Sequence, residues 1–296
     1  LVRGIDSSNQ VYIHNGVGWV LDPNWVMPVS FIVGQFSDNG VRMADVNGDG
    51  LPDLIEARPA NVGVPDVTKV YLNNGDNTGW KYDSKWQMPV CNKNSNFQIK
   101  PYFIDSHGYD AGVTLLDING DGLLDLVQDG YPESYSVRGV SLNKGDGTGW
   151  TCDLSWNTPG GRASRFADLN DDGLIDTVDA FKEMYGSTRN VRISTGLETN
   201  WQNNPAWNIP MDFISENGSD YGVRIDDVNG DGMPDLVQAI NTSNAFSSGI
   251  NIHNVYLNNN KPADFLISIT IPNGGTTAIT YKASPQYTSS SGSLLN

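Results

Sequence analysis

The chain has 296 residues, long enough for one large domain or two smaller ones around a sizeable core. Lys and Arg number 18 against 34 Asp and Glu, and the net charge of −16 argues against nucleic acid or an anionic membrane as a partner, leaving a cation as the natural counterpart. No apolar run approaches the roughly 20 residues of a membrane-spanning helix, and 32 Gly with 15 Pro mark a turn-rich chain.

The opening stretch LVRGIDSSNQ has no basic segment followed by an apolar one, so any signal peptide is expected outside this sequence. Next comes a β-branched run with a turn, VYIHNG at Val11, which recurs as VYLNNG at Val70, VSLNKG at Val140, VRISTG at Val191 and VYLNNN at Val255. Asn-Gly or Lys-Gly after such a run signals a hairpin. The first four copies are each followed by two tryptophans six residues apart and then a proline: Trp19, Trp25 and Pro28; Trp80, Trp86 and Pro89; Trp150, Trp156 and Pro159; Trp201, Trp207 and Pro210. Interleaved with this ladder are four acidic segments, VRMADVNGDGLPDLIEA from Val41, VTLLDINGDGLLDLVQD from Val113, SRFADLNDDGLIDTVDA from Ser164 and VRIDDVNGDGMPDLVQA from Val223.

One repeat therefore reads as a strand ending at Asp, a nine-residue acidic loop, a second strand such as 54–57, a third such as 70–72, and a fourth carrying tryptophan. Four-stranded antiparallel units that cannot bury both faces alone must stack, and radial stacking protects their edges. The expected fold is an all-β propeller over residues 1–262, with at least four full blades plus a partial one; a linear solenoid or separate small domains is the alternative. Leu1 to Gly4 match the residues that follow the last loop aspartate elsewhere, so the first blade reads as incomplete and the chain as a fragment of a longer polypeptide. Residues 263–296 read as a β-hairpin around Asn273-Gly274-Gly275 and a Ser/Thr-rich tail, the start of a following β domain or a linker. The even spacing of the tryptophans places each pair on one strand face, packed between blades.

The acidic loops carry the chemistry. Their pattern D-x-N-x-D-G-x-x-D puts every side-chain oxygen on an odd position, with the carbonyl of position 7 also available. The candidate ligands are Asp45, Asn47, Asp49, Leu51 and Asp53; Asp117, Asn119, Asp121, Leu123 and Asp125; Asp168, Asn170, Asp172, Leu174 and Asp176; and Asp227, Asn229, Asp231, Met233 and Asp235. An all-oxygen set on a sharply turning backbone, with glycine after position 5 to permit the bend, suits calcium, about four ions for the chain. The alternative is that these Asp and Asn side chains only form turns between strands. An EF-hand is disfavoured: Glu56 stands at position 12 of the first loop, but Gln128 and Gln238 take that place in the second and fourth, and Pro52 and Pro234 stand where a helix would start. In the third loop Asp179 and the following AFKEMY imitate a dockerin half. Cys91 and Cys152 are too few for a disulfide framework and are read as core thiols in preference to a bonded pair.

With the Gly-Val before three of them (Gly40-Val41, Gly112-Val113, Gly222-Val223), the loops resemble FG-GAP or VCBS repeats, the calcium-loop blades of integrin-type propellers. The additional Y-L-N-N-G, G-W, W and P signature and the tract DFLISITIPNGGTTAITYKASPQYT more narrowly resemble the propeller region of bacterial Rhs/SpvB and TcB-type toxin proteins. That resemblance implies a scaffold module of a large secreted or cell-surface protein, joined to adjoining domains or a protein partner. The third loop departs from the pattern with Asp171 for Gly and Thr177 for Leu.

The function expected is thus a non-catalytic, calcium-stabilised scaffold or interaction module. A carbohydrate-binding lectin is the alternative, since repeated tryptophans can offer sugar platforms, and a propeller enzyme is a third possibility using the loop carboxylates as acid and base. No nucleophile elbow, zinc motif or phosphate loop is present, and His14, His107 and His253 have no spacing that marks a catalytic or metal site. Asn217 and Asn241 open glycosylation sequons that matter only in a eukaryotic secretory protein.

Overall fold

The computed structural model describes residues 2–5, 8–34, 37–60, 65–94, 97–108, 110–129, 138–156, 164–196, 201–216, 219–241, 251–260, 268–271 and 273–279. Among them every regular element is a β-strand, and no helix is long and apolar enough to cross a membrane. The repeat is plainest in the second sheet, where Val41–Ala44, Asp53–Arg58, Val67–Asn73 and Trp80–Tyr82 pair antiparallel in chain order. Its second strand is buried at five successive residues from Asp53 to Ala57, the pattern of a strand covered on both faces. The same order recurs in Val113–Leu116, Asp125–Asp129, Arg138–Asn143 and Trp150–Asp153, and again in Ser164–Ala167, Asp176–Glu183, Gly186–Ser194 and Trp201–Asn203.

The first sheet holds the second, third and fourth strands of a repeat, Val2–Ile5, Ser8–His14 and Trp19–Leu21, widened by the short Ile32–Val33 and Ser37–Asp38. The last holds the first three, Val223–Asp226, Asp235–Asn241 and Asn251–Tyr256. These five sheets are the blades of an all-β propeller. Two hairpins stand apart, Cys91–Asn94 with Phe97–Ile99 and Ser268–Thr270 with Thr276–Ala278. The boundary near residue 262, Gly218, the sequon residues Asn217 and Thr242–Ser243, and the Ser/Thr-rich tail lie outside the described residues.

Two compact units divide the chain, Leu1–Thr158 and Pro159–Asn296. In the first, one core gathers Val46, Ile55, Val70, Trp86, Phe103, Leu126 and Trp150, and a second gathers Val11, Met27, Leu54, Tyr71 and Trp80. In the second unit the core is Leu169, Val178, Val191, Ile209, Met211, Phe213 and Val223. Strand residues from two successive blades contribute to each cluster, so burial comes from stacking blades and not from any one sheet.

Two expectations are corrected. Cys91 and Cys152 are bonded, with their Cα atoms 5.5 Å apart. The chain leaves one blade along Trp86 and Gln87, Gln87 bridges Gly149 of the next blade in parallel, and the two cysteines follow that bridge by four and three residues. The paired tryptophans also do not share a strand face. Trp19, Trp80, Trp150 and Trp201 each open a fourth strand, whereas Trp25, Trp86, Trp156 and Trp207 fall beyond the strand's end.

Candidate functional site

Each acidic loop is a nine-residue connection between the first and second strands of a blade. In the first, Asp45 folds the chain about itself: its Oδ1 accepts from the Gly48 and Asp49 amides at 2.8 and 3.2 Å, and its Oδ2 accepts from Gly50 at 2.7 Å. Asp49 Oδ1 accepts from Leu51 N at 2.8 Å, while Asn47 accepts from Asp49 N and donates its Nδ2 to Asp49 Oδ2 at 2.9 Å. The lattice repeats around Asp117, Asn119 and Asp121, with Leu123 N on Asp121, and around Asp227, Asn229 and Asp231, with Met233 N on Asp231. Gly50, Gly122, Gly173 and Gly232 all have positive φ, 81° to 90°, the conformation that a side chain resists.

The third loop keeps this shape despite its substitution. Asp171 takes φ 59° where the first loop's Gly48 has 74°, and the Asp168 carboxylate still accepts from Asp172 N and Gly173 N at 3.1 and 2.8 Å. Asp is among the few residues that enter the left-handed region readily. Asn170 donates to Asp172 and Leu174 N bonds Asp172, as in the other copies. Thr177, the second departure, is fully buried in the adjoining strand.

The ninth position has a separate role. Asp53, Asp125, Asp176 and Asp235 are essentially without solvent exposure. One oxygen of each accepts from the amide at the loop's second position (Val46, Ile118, Leu169, Val228) at 2.9 to 3.2 Å. The other accepts at 2.7 to 2.8 Å from the amide at the end of the third strand (Asn73, Asn143, Ser194, Asn258). The aspartate thus buckles the loop to a strand about twenty residues further on, a link between the two sequence ladders that inspection of either one does not reveal. Burial pushes Asp53, Asp125 and Asp176 up to about 6 against the pull of these amides, and the neighbouring loop carboxylates push the same way.

The donor set suits a hard cation: three carboxylates, one amide oxygen and one main-chain carbonyl within nine residues, without nitrogen or sulfur. Asp45 Oδ1, which accepts two amide protons, is saturated, whereas its Oδ2, both Asp49 oxygens and both Asp53 oxygens accept one hydrogen bond each and keep a further lone-pair site. Among the described residues, no three carboxylate, imidazole or thiol groups converge as a metal cluster; the loop side chains close on the backbone instead. The position-12 groups turn away. Glu56 faces Arg58 and the Tyr71 hydroxyl, and Asp179 pairs with Arg192 and Ser164, all from within strands. Residues 180–183 continue a strand, which removes the EF-hand and dockerin readings. His14 lies edge-on to Trp19 and His253 bonds Asn251, both exposed, and His107 is paired with Asp105.

Tryptophan braces the loops. The indoles of Trp80, Trp150 and Trp201 donate to the carbonyls of Pro52, Leu124 and Ile175, the eighth loop residue of their own blade, at 2.7, 2.9 and 3.0 Å. Trp25 and Trp86, from the preceding repeats, pack against Trp80 and Trp150 at steep angles, with ring centroids 5.1 and 5.2 Å apart. A blade-to-blade bond completes the arrangement: Asn143 Nδ2 donates to the Val46 carbonyl at 2.8 Å, and Asn258 Nδ2 to that of Leu169 at 2.9 Å.

The same architecture is found elsewhere. A solved lectin from Agrocybe aegerita, described as recognising non-reducing terminal N-acetylglucosamine, matches with a TM-score of 0.52 and 19% identity over 88% of this chain. This chain spans 60% of that lectin's length. The likeness is one of fold. A Tc holotoxin pore from Photorhabdus luminescens is similar over 69% of this chain and 8% of its own, at 20% identity and a TM-score of 0.36, too low to bear on the argument. No protein-family model and no curated protein matches the chain.

Proposed function

We propose that the chain is a non-catalytic propeller scaffold whose four acidic loops bind calcium, of the FG-GAP/VCBS kind, and that it serves within a secreted or surface protein of the bacterial Rhs/TcB toxin type. The observation that carries this reading is the fourfold repetition of one loop lattice, each copy concentrating at least three carboxylates in nine residues. Like charges at this density repel unless a cation neutralises them, and four divalent ions would halve the formal charge of −16. The disulfide between Cys91 and Cys152 agrees with an oxidising compartment. The loop carboxylates have a role as ligands and as backbone anchors, which leaves none of them for acid or base catalysis.

The lectin reading is weakened by the burial of four of its eight platforms, although Trp19 is 58% exposed and Trp25, Trp201 and Trp207 are half-buried. Trp80, Trp86, Trp150 and Trp156 are buried, so their faces are closed to sugars. Calcium titration of the chelated chain by calorimetry tests the proposal: the native protein takes up about four ions, and Asp49→Ala takes up one fewer. Uptake of none, or an unchanged number in the variant, contradicts it.

A further inference from the structure

One contact recurs where the third strand of a blade runs into its turn. The side chain at or just past the strand's end accepts from the amide two residues on: Asn73 Oδ1 from Gly75 N at 3.0 Å, Asn143 Oδ1 from Gly145 N at 3.1 Å, Ser194 Oγ from Gly196 N at 3.4 Å and Asn258 Oδ1 from Asn260 N at 3.1 Å. In the first blade the acceptor is an imidazole. There Gly16 N donates to His14 Nδ1 at 3.2 Å. An amide or hydroxyl oxygen holds such a proton in a hydrogen bond without removing it, whereas imidazole is the side chain that most often takes a proton in catalysis.

Between His14 and Gly16 stands Asn15, whose side-chain carbonyl is polarised. Its Oδ1 accepts from Val17 N at 3.0 Å and from Gly18 N at 2.9 Å, two main-chain donors on one oxygen, the arrangement that stabilises the charge of a tetrahedral intermediate. The His14 ring is set edge-on to Trp19, centroids 5.2 Å apart, and Gly16, at φ 90°, brings no side chain to obstruct its own nitrogen. We propose that Asn15 is a self-modifying site: with His14 as general base, Asn15-Gly16 closes to a succinimide that water opens to an aspartyl or isoaspartyl linkage.

The step balances without oxidant or reductant. Gly16 N attacks Asn15 Cγ while His14 Nδ1 takes its proton, so an N–C bond forms and the carbonyl electron pair moves onto Oδ1, where the Val17 and Gly18 amides meet it. The imidazolium gives that proton to Nδ2, the Cγ–Nδ2 bond breaks, and ammonia leaves. Water then adds to one of the two ring carbonyls. Opening at Cγ leaves an ordinary aspartate, and opening at the main-chain carbonyl leaves the peptide running through the side chain. Either product replaces a neutral amide by a carboxylate and adds one negative charge to the chain.

The next blade supplies an internal control. Asn74-Gly75 occupies the same turn, but Asn73 stands in place of His14 and the Asn74 amide is tied through Nδ2 to Thr78 Oγ1 at 3.1 Å. The two sites therefore share the labile dipeptide and differ in the base.

The purified full chain is incubated at neutral pH, and Asn15 and Asn74 are followed by peptide mass mapping with isoaspartyl detection. Asn15 should convert at least about tenfold faster than Asn74, a modest share of what general-base catalysis contributes. His14→Asn installs the acceptor of the next blade at an exposed position and should remove that excess. Unfolding in urea should remove it too, because the two amides then no longer meet Oδ1. An Asn15 that stays intact or converts no faster than Asn74, or an excess that survives either His14→Asn or urea, overturns the proposal.

Discussion

Trp86 at the exit of one blade meets Trp150 at the outer strand of the next edge to face, ring centroids 5.2 Å apart and planes inclined at 64°, while Trp150 donates its indole proton to the carbonyl of Leu124 within the acidic loop. A blade-to-blade contact and a loop brace therefore share one ring.

Trp150→Ala should destabilise the chain by about 3 to 5 kcal/mol, the range for deleting a buried indole. Trp19→Ala is the control: that ring is 58% exposed and its loss should cost little. Urea unfolding of the two variants checks the contrast. Equal midpoints would show that the tryptophans of the outer strands are not structural braces.

The bond between Cys91 and Cys152 closes a loop spanning 61 residues of sequence. Removing that constraint from the unfolded chain should cost about 4 kcal/mol in the loop-entropy account. The paired Cys91→Ser and Cys152→Ser variant should melt below the parent, and the parent in reducing agent should move toward it. Identical melting in oxidising and reducing buffer contradicts a bonded pair.

Asp212 is buried beside Arg189 and Ser187, whose Nε and Oγ donate to it at 2.8 and 2.9 Å. Burial alone would raise its carboxyl, but these two hydrogen bonds, with the positive charges of Arg189 and Lys182, outweigh it and hold it below its ordinary value of 3.8. A depressed folded-state value means that the ionised group stabilises the fold above pH 3.8 and that this contribution fades as pH falls further. Asp212→Asn should cost roughly 1 to 2 kcal/mol at neutral pH, reduced from a fully buried charged bond because Arg189 is partly exposed. Stability curves of parent and variant should converge in acid below 3.8; a constant gap contradicts the assignment.

The local part of this fold could be read from the chain. The loops, the turns and the strand order within a blade depend on residues within about one repeat, and the Asp-Asn-Asp-Gly spacing specifies its own hydrogen-bond lattice. The partners across blades could not be read in the same way. Trp86 was expected to share a face with Trp80, six residues away, but strand Trp80–Tyr82 ends before it and its ring reaches Trp150 instead. Cys91 and Cys152 meet for the same reason, since the Gln87 to Gly149 bridge and the Trp86–Trp150 contact bring their segments together across two blades. Their offsets, five residues after one blade's second tryptophan and two after the next blade's first, were a visible signal once that stacking is known. The spacing of the ninth loop aspartate reads only as that of a ligand; its buckle to the third strand, from Asp53 to Asn73, depends on the antiparallel pairing of Asp53–Arg58 with Val67–Asn73.

Thermal unfolding of the native chain in millimolar calcium and in excess EGTA, with calcium restored afterwards, tests the central claim most directly. Ions bound only by the folded loops stabilise by mass action, so the account predicts a lower melting temperature in chelator, recovered on re-addition and smaller in extent for Asp49→Ala. A melting temperature indifferent to chelation, with no calcium found in the purified protein, would contradict it and leave the loop aspartates as backbone anchors alone.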